Sequence, residues 1–371
     1  MKTYNYLIYC MLFSIGYSTL QARGGLQEYK KTYNEEFSIN QNGLVYLANK
    51  YGNIDITTSD RSTVKIDIEI IVEARDQDRA DDILDKISIK FDNSSSEVKA
   101  YTEFDFGNSW NWGKKNESYK IHYKVLMPRD VDLDIYNKYG NISMTEINGD
   151  LDLDLKYGSA YLQDIGGDVE AVLGYVEGFD AGAIGGDLDL DIKYSDFNIK
   201  GASDTHIETK YSEIVMDYAG EVDISSKYSQ IEIGALTAIE NVGKYDQFDL
   251  GSCEYIDIET KYTQLRIETL AKGGDFDTGY GSVRIKQLHD SFEKINIDAG
   301  NTGYDIGIMG GARFDIETKY AGVDLPRNVV SSYKEKDHNE YFFKGHFEDS
   351  GAGLITATMK YGHLDVQHRP N

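Results

Sequence analysis

The stretch that decides the fold is residues 205–267, THIETKYSEIVMDYAGEVDISSKYSQIEIGALTAIENVGKYDQFDLGSCEYIDIETKYTQLRI, in which the dipeptide Lys-Tyr occurs four times at 17-residue intervals. Around Tyr228, the apolar residues Val222 and Ile224 lie six and four places before it, whereas Ile231 and Ile233 lie three and five places after it. Apolar residues at every second position on each side of the tyrosine predict two β-strands. Their distance from the tyrosine is even before it and odd after it, and this change predicts a corner just after the tyrosine.

The same signature extends in both directions from this stretch. Counting the positions where Gly replaces Lys, eleven tyrosines between residues 139 and 320 are separated by 18, 18, 19, 17, 17, 17, 17, 18, 24 and 16 residues. They are Tyr139, Tyr157, Tyr175, Tyr194, Tyr211, Tyr228, Tyr245, Tyr262, Tyr280, Tyr304 and Tyr320. A period this regular is typical of one supersecondary unit stacked on copies of itself. The sequence therefore predicts an all-β fold, a parallel β-solenoid (β-helix) of about 17–18-residue coils, with equivalent strands roughly 4.8 Å apart.

The flanking segments lack this period. We expect residues 31–128 to form a β-rich N-terminal cap with one helix near 76–87, because Ala80, Ile83 and Leu84 fall at helical spacing. Regular repeats would then occupy residues 129–326, and residues 327–371 would form a C-terminal capping coil. The long interval near residues 286–294 predicts a loop or one helical turn outside the repeats.

The N-terminus has the pattern of an export signal. Lys2 precedes a mostly apolar run, and Ala22 provides a small residue before a polar segment, so we expect a signal peptide over residues 1–22. An uncleaved N-terminal anchor is the alternative. No later stretch reaches the roughly 20 apolar residues of a membrane span. We therefore predict an exported protein of the periplasm or cell surface with no transmembrane segment after cleavage.

Charge and cysteine content exclude several classes. The 371-residue chain has a formal net charge of −25, which argues against nucleic-acid partners because phosphate binding needs a Lys/Arg surface. Once the signal is removed, Cys253 is the single cysteine, so no internal disulfide is expected.

The tyrosine column and the acidic residues beside it are the candidate binding features. The candidate partner-binding strip comprises Tyr194, Tyr211, Tyr228, Tyr245 and Tyr262. Such tyrosines either cover the edge of the core or bind a protein or glycan partner. Acidic residues three and five places before each tyrosine, such as Asp152 and Asp154, form either a solvated face or a row of Ca²⁺ sites.

No catalytic arrangement emerges from the sequence. The seven histidines are scattered, and no nucleophile elbow, P-loop or dinucleotide fingerprint occurs. We predict no enzyme activity, no catalytic residues, and no cofactor-binding or metal site. The alternative is a polysaccharide-acting β-helix enzyme, a lyase or hydrolase with Ca²⁺ as its cofactor, whose site would lie near Tyr280–Tyr304, where the period breaks.

Residues 49–56, Asn-Lys-Tyr-Gly-Asn-Ile-Asp-Ile, are followed by a long strand, a helix, Val125-Leu126-Met127-Pro128 and a second Asn-Lys-Tyr-Gly-Asn-Ile at 137–142. This order resembles the DUF4097-type β-strand-repeat proteins, an exported bacterial family of proposed adhesins. The resemblance covers nearly the whole mature chain and implies a β-solenoid exported to the cell envelope. It implies an adhesin-like surface or periplasmic binding or scaffold protein and provides no catalytic residues.

Overall fold

A computed structural model describes residues 25–106, 117–349 and 351–370. The described residues lie mainly in strands and contain one helix, which confirms the predicted all-β class. The expected signal peptide, residues 1–22, lies outside the described residues.

The N-terminal elements run to residue 144. They are β1 (Gln27–Ser38), β2 (Leu44–Lys50), β3 (Ile54–Ser59), β4 (Thr63–Ala74), α1 (Gln77–Leu84), β5 (Ile87–Asn93), β6 (Glu97–Phe104), β7 (Ser118–Pro128), β8 (Asp132–Lys138) and β9 (Ile142–Met144).

The remaining strands follow with short connections. They are β10 (Leu151–Leu162), β11 (Val169–Ala183), β12 (Leu188–Lys193), β13 (Asp196–Gly201), β14 (Thr205–Lys210), β15 (Glu213–Lys227), β16 (Gln230–Lys244), β17 (Gln247–Lys261), β18 (Gln264–Gly279), β19 (Ser282–Leu288), β20 (Lys294–Ile308), β21 (Ala312–Asp324), β22 (Val330–Asp337), β23 (Glu340–Phe347) and β24 (Leu354–His368).

The first part of the chain combines antiparallel and parallel pairing. Strand β4 pairs antiparallel with β1 and β7, and β5 pairs antiparallel with β6. Strands β2 and β3 pair in parallel with β8 and β9, which places the corner at Tyr51 directly beside the corner at Tyr139. Helix α1 lies within the predicted range 76–87 and begins after Asp76, whose carboxylate accepts the Arg79 N–H at 3.0 Å.

From β8 to β20 the neighbouring strands pair in parallel, and each equivalent position recurs after one repeat. For example, Ile214 pairs with Ile231, Ile231 with Phe248, and Phe248 with Leu265, so each partner lies 17 residues further along the sequence. All four side chains are buried, as their alternation in the sequence requires. Fully burying an aliphatic or phenylalanine side chain stabilises a fold by about 1.5–3 kcal/mol, so each repeat is stabilised by its neighbours.

The C-terminal strand does not follow its neighbours in chain order. Strand β24 pairs in parallel with β20 on one side and with β21 on the other. Strand β23 pairs antiparallel with β21, and β22 pairs antiparallel with β23. The segment predicted to cap the molecule, 327–371, therefore contributes one strand inside the stack and two antiparallel strands beyond β21.

One predicted repeat position is wrong. Tyr304 belongs to the predicted tyrosine column, but it lies inside β20, is only 2% exposed and has its hydroxyl 2.6 Å from Thr278 Oγ1. The corner of this repeat is instead Asn301, which has a φ of 56° like the corner tyrosines. The column continues at Tyr361 and then at Tyr320, because these two residues lie at the corners of β24 and β21.

Candidate functional site

The tyrosines of the predicted strip all lie at corners with a left-handed backbone. Tyr194, Tyr211, Tyr228, Tyr245 and Tyr262 have φ angles of 53–63°. This region is uncommon for non-glycine residues and costs roughly 1–2 kcal/mol per residue. The backbone hydrogen bonds between neighbouring repeats nevertheless continue through the corner. The Tyr211 N–H donates to Lys227 O at 3.1 Å, and the Tyr245 N–H donates to Lys261 O at 2.9 Å.

A buried polar row supports these corners from inside. The Ser195 N–H donates to Ser212 Oγ at 3.3 Å, and the Ser229 N–H donates to Asp246 Oδ1 at 2.8 Å. Asp246 is 4% exposed, and burial raises the pKa of its carboxyl group despite the hydrogen bonds that it accepts. At most of these corners a serine or threonine hydroxyl thus accepts a hydrogen bond from a backbone N–H group, and in one repeat the carboxylate of Asp246 does so instead.

The phenol rings form one continuous stack that is longer than the predicted strip. Nine consecutive ring pairs have centroids 4.7–5.1 Å apart and planes within 3–16° of parallel. The stack comprises Tyr51, Tyr139, Tyr157, Tyr175, Tyr194, Tyr211, Tyr228, Tyr245, Tyr262 and Tyr280. From Tyr139 onward each of these residues is 41–54% exposed, so the stack presents a strip of ring edges and faces to solvent.

Lysines border one side of the stack. Lys138 Nζ lies 5.0 Å from the centroid of the Tyr139 ring and 5.6 Å from that of Tyr157, and Lys227 Nζ lies 5.2 Å from that of Tyr228. These distances permit cation–π attraction, which is worth about 0.5–1 kcal/mol at an exposed site. Part of the cost of the left-handed corners is offset by these contacts and by ring stacking, at about 0.5–1.5 kcal/mol per pair.

The other side of the stack is bordered by carboxylates and carboxamides that the sequence analysis missed. They form a shallow groove with the rings and lie two places after successive tyrosines: Asp196, Glu213, Gln230, Gln247 and Gln264. Their fixed offset from the tyrosines was the signal that could have identified them. Amide and carboxylate groups next to aromatic faces can accept and donate hydrogen bonds to hydroxyl or peptide groups of a ligand.

Several aspartates outside the strip accept hydrogen bonds from backbone N–H groups. Asp132, Asp150 and Asp168 each accept, through Oδ1, the N–H of the equivalent residue one repeat later at 2.8–3.1 Å. In the predicted acidic columns, burial and then the charge of Asp152 raise the pKa of Asp134. No group of three or more His, Cys, Asp or Glu side chains within residues 25–106, 117–349 and 351–370 is arranged to hold a metal ion.

Cys253 and Tyr304 both lie in the core. Burial raises the pKa of the Cys253 thiol to about 12, so the reactive thiolate is disfavoured at neutral pH. Tyr304, one boundary of the region considered for a polysaccharide-acting site, is buried against Thr278. In the part of the chain that the structure describes, no helix is both long and apolar enough to span a membrane.

No protein-family model and no curated protein matches this sequence. The DUF4097-type resemblance therefore has no support from a family model.

Three solved structures are similar to the chain at 11–12% identity. A proposed cell adhesion protein from Clostridium sporogenes has 11% identity and a TM-score of 0.19, covering 91% of this chain and 100% of its own. A proposed adhesin from Bacteroides fragilis has 11% identity and a TM-score of 0.27, covering 91% of this chain and 97% of its own. A proposed lipid-binding protein from Parabacteroides distasonis has 12% identity and a TM-score of 0.25, covering 75% of this chain and 94% of its own. These TM-scores are too low to establish a common fold.

Proposed function

We propose that this chain is a non-catalytic β-solenoid, exported to the periplasm or cell surface, that binds a protein or glycan partner through Tyr194, Tyr211, Tyr228, Tyr245 and Tyr262. The observation that carries the proposal is the stack of half-exposed, nearly parallel phenol rings held at one spacing. Large contiguous aromatic surfaces on soluble proteins commonly mark interaction sites.

The solenoid assignment rests on the parallel ladders. Lys210, Lys227, Lys244 and Lys261 are successive partners at 17-residue intervals, as expected of stacked coils. Each coil would contain one strand before the tyrosine corner and one after it. We propose residues 31–128 as the N-terminal cap and 129–326 as the regular coils. In residues 327–371, β22 and β23 would serve as the C-terminal cap, while β24 joins the stack.

The strip suits binding rather than catalysis because its geometry is fixed before a ligand arrives. Rings that are locked between neighbouring rings lose little rotamer freedom on binding, and this lowers the entropic cost of association. The faces and edges of phenols can contact sugar rings or apolar side chains. The bordering groups Glu213, Gln230 and Gln247 would provide the hydrogen bonds that fix the orientation of the partner.

Export is inferred from the signal-like residues 1–22 and agrees with the acidic surface. A net charge of −25 keeps such a protein soluble and disfavours adsorption to anionic lipid headgroups. The adhesin-like assignment adds only that the partner would be another surface or envelope component.

The test compares binding of matched triple variants to an array of neutral and acidic glycans and to a displayed peptide library. The variant Tyr211→Ala/Tyr228→Ala/Tyr245→Ala should weaken binding to every ligand of the strip at least about tenfold, because removing stacked aromatic anchors costs more than about 1.4 kcal/mol. The corresponding triple phenylalanine variant keeps the rings and should retain most of the affinity.

The control removes three exposed tyrosines outside the strip, Tyr136, Tyr161 and Tyr218. This variant should bind like the wild-type protein. Unchanged binding by a triple alanine variant with a native β-type circular dichroism spectrum would contradict the proposal.

A further inference from the structure

The stack of phenol rings is interrupted at a single corner. Ring stacking ends at Tyr280 and resumes between Tyr361 and Tyr320, whose centroids are 5.2 Å apart with planes 15° from parallel. The corner between them is Asn301: the Tyr280 N–H donates to Gly300 O at 2.9 Å, and Gly300 and Thr302 pair with Lys360 and Gly362. Tyr280 and Tyr361 are therefore two strand steps apart.

The distance expected between these two rings, two ladder steps, is the space that one aromatic ring occupies. Two steps of a β-ladder span roughly 9.6 Å, at about 4.8 Å per step. Elsewhere in the stack a ring lies at each single step, with centroids 4.7–5.1 Å apart. A planar ring inserted midway between Tyr280 and Tyr361 would therefore stack on both faces at the spacing that this protein uses throughout.

The sides and floor of this gap leave room for such a ring. Asn301 forms the floor in the same left-handed conformation as the tyrosines, with an exposed side chain. Among the described residues, the Asn301 amide group has no hydrogen-bond partner. A Cβ atom added to Gly300 or Gly303 would meet nothing within 4 Å, whereas most other coils place a lysine at the position of Gly300.

The chemistry of the gap selects the class of ligand. Two parallel phenol faces favour a flat aromatic ring, while a pyranose ring is thicker and puckered. The net charge of −25 disfavours anionic nucleotides. The carboxamide of Asn301 can accept from, or donate to, a polar ring edge such as an indole N–H or a phenol hydroxyl.

We propose that Tyr280, Asn301 and Tyr361 form a slot that binds one aromatic side chain, tryptophan or tyrosine, of a partner polypeptide. The slot lies outside the strip of Tyr194–Tyr262, so its ligand and the ligand of that strip can be tested independently.

The test uses N-acetyl-tryptophanamide as the probe and follows the amide resonances of Asn301 by NMR. In the wild-type protein we expect saturable binding with one site and upfield ring-current shifts centred on Asn301. The variant Asn301→Tyr fills the slot with its own ring and should reduce the affinity for the probe at least tenfold. Binding to this variant is monitored through the amide resonance of Thr302. This variant should fold because tyrosine occupies the equivalent corner in the neighbouring coils.

Two further variants make the outcome specific. Asn301→Ala leaves the slot open but removes the carboxamide, so it should bind the probe more weakly than the wild-type protein and more tightly than Asn301→Tyr. Tyr228→Asn should create a second slot between Tyr211 and Tyr245 and raise the stoichiometry from one to two.

Several results would overturn the proposal. They are an absence of saturable binding to the wild-type protein, undiminished binding to a folded Asn301→Tyr variant, and ring-current shifts that map away from Asn301. Tighter binding of adenosine than of N-acetyl-tryptophanamide would also overturn it, since the slot would then select a nucleobase.

Discussion

At the scale of the residue, the corner position combines a strained backbone with a favourable side-chain arrangement. Glycine would adopt φ near 55° without strain, yet Tyr211 and Tyr228 occupy such corners with their rings stacked 4.9 Å apart. Stacking and cation–π contacts are available only to the aromatic residue, and each of these two rings has a stacked neighbour on both faces. The regular use of tyrosine is therefore explained by the stack rather than by the turn.

Asp246 gives a prediction about pH dependence. Because burial raises the pKa of its carboxyl group in the folded protein above the unfolded value of 3.8, the folded state binds more protons there than the unfolded state. The free energy of unfolding should therefore fall as pH rises from that unfolded value through the folded pKa. The variant Asp246→Ser restores the hydroxyl found at the equivalent position of neighbouring repeats, and its stability gain over the wild type should be larger at pH 7 than at pH 4.

Urea denaturation of both proteins at intervals between pH 4 and pH 7 measures this difference. The variant Asp217→Ser removes one negative charge from an exposed position and controls for the change in net charge. A stability difference between Asp246→Ser and wild type that increased toward low pH would contradict the stated sign.

At the scale of the element, most strands could be predicted because side-chain alternation and burial agree. Parity alone assigns Val222, Ile224, Ile231 and Ile233 to the inward face, and all four are buried. The corner at Asn301 could not be found in this way. Asn301 lies 21 residues after the corner at Tyr280, an interval longer than in the other repeats, and it is not a tyrosine. Tyr304 lies only three residues later and is therefore mistaken for the corner residue.

The position of β24 was also beyond sequence reasoning. Parity assigns which side chains of β24 face inward, but it contains no information about which neighbours the strand pairs with. Strand β24 pairs with both β20 and β21, so the connection through β22 and β23 brings the chain back between two strands that precede it in sequence.

This placement predicts how truncation acts. Removal of residues 354–371 takes away the parallel partner that β20 and β21 share, whereas β20 still pairs with β18 and β19, and β21 with β23. Both strands should therefore lose part of their protection against amide hydrogen exchange. Strands β15 to β17 should keep theirs, because their partners remain. A chain ending at His368 retains β24 and is the matched control. If β20 stayed protected in the shorter chain, the contribution of β24 to its stability would be refuted.

At the scale of the whole molecule, the proposed solenoid is modular. Nearest-neighbour stacking implies that a complete coil can be removed from the middle while its neighbours close in register. Deleting residues 231–247 joins Gln230 to Phe248 and preserves parity, since Phe248 then stands three places after Tyr228. We expect this 17-residue deletion to give a folded protein whose thermal midpoint changes by about 5 °C or less.

Deleting residues 232–247, one residue fewer, is the matched control. It shifts the strand by one position and turns Phe248 and the inward residues after it toward solvent. Circular dichroism and thermal unfolding should show a folded protein for the first deletion and a severely destabilised one for the second. Equal stability of the two deletions would contradict a register-locked stack of coils.

The tyrosine stack also has a photophysical consequence. Ten identical chromophores, each within 5.1 Å of the next, are close enough for an excitation absorbed by one phenol to migrate to others before it is emitted. Because the planes of successive rings differ by only 3–16°, the transition dipoles, which lie in those planes, stay nearly parallel to a common plane between neighbours along the path. Excitation energy can therefore travel from ring to ring while its emission stays polarised close to the ring planes.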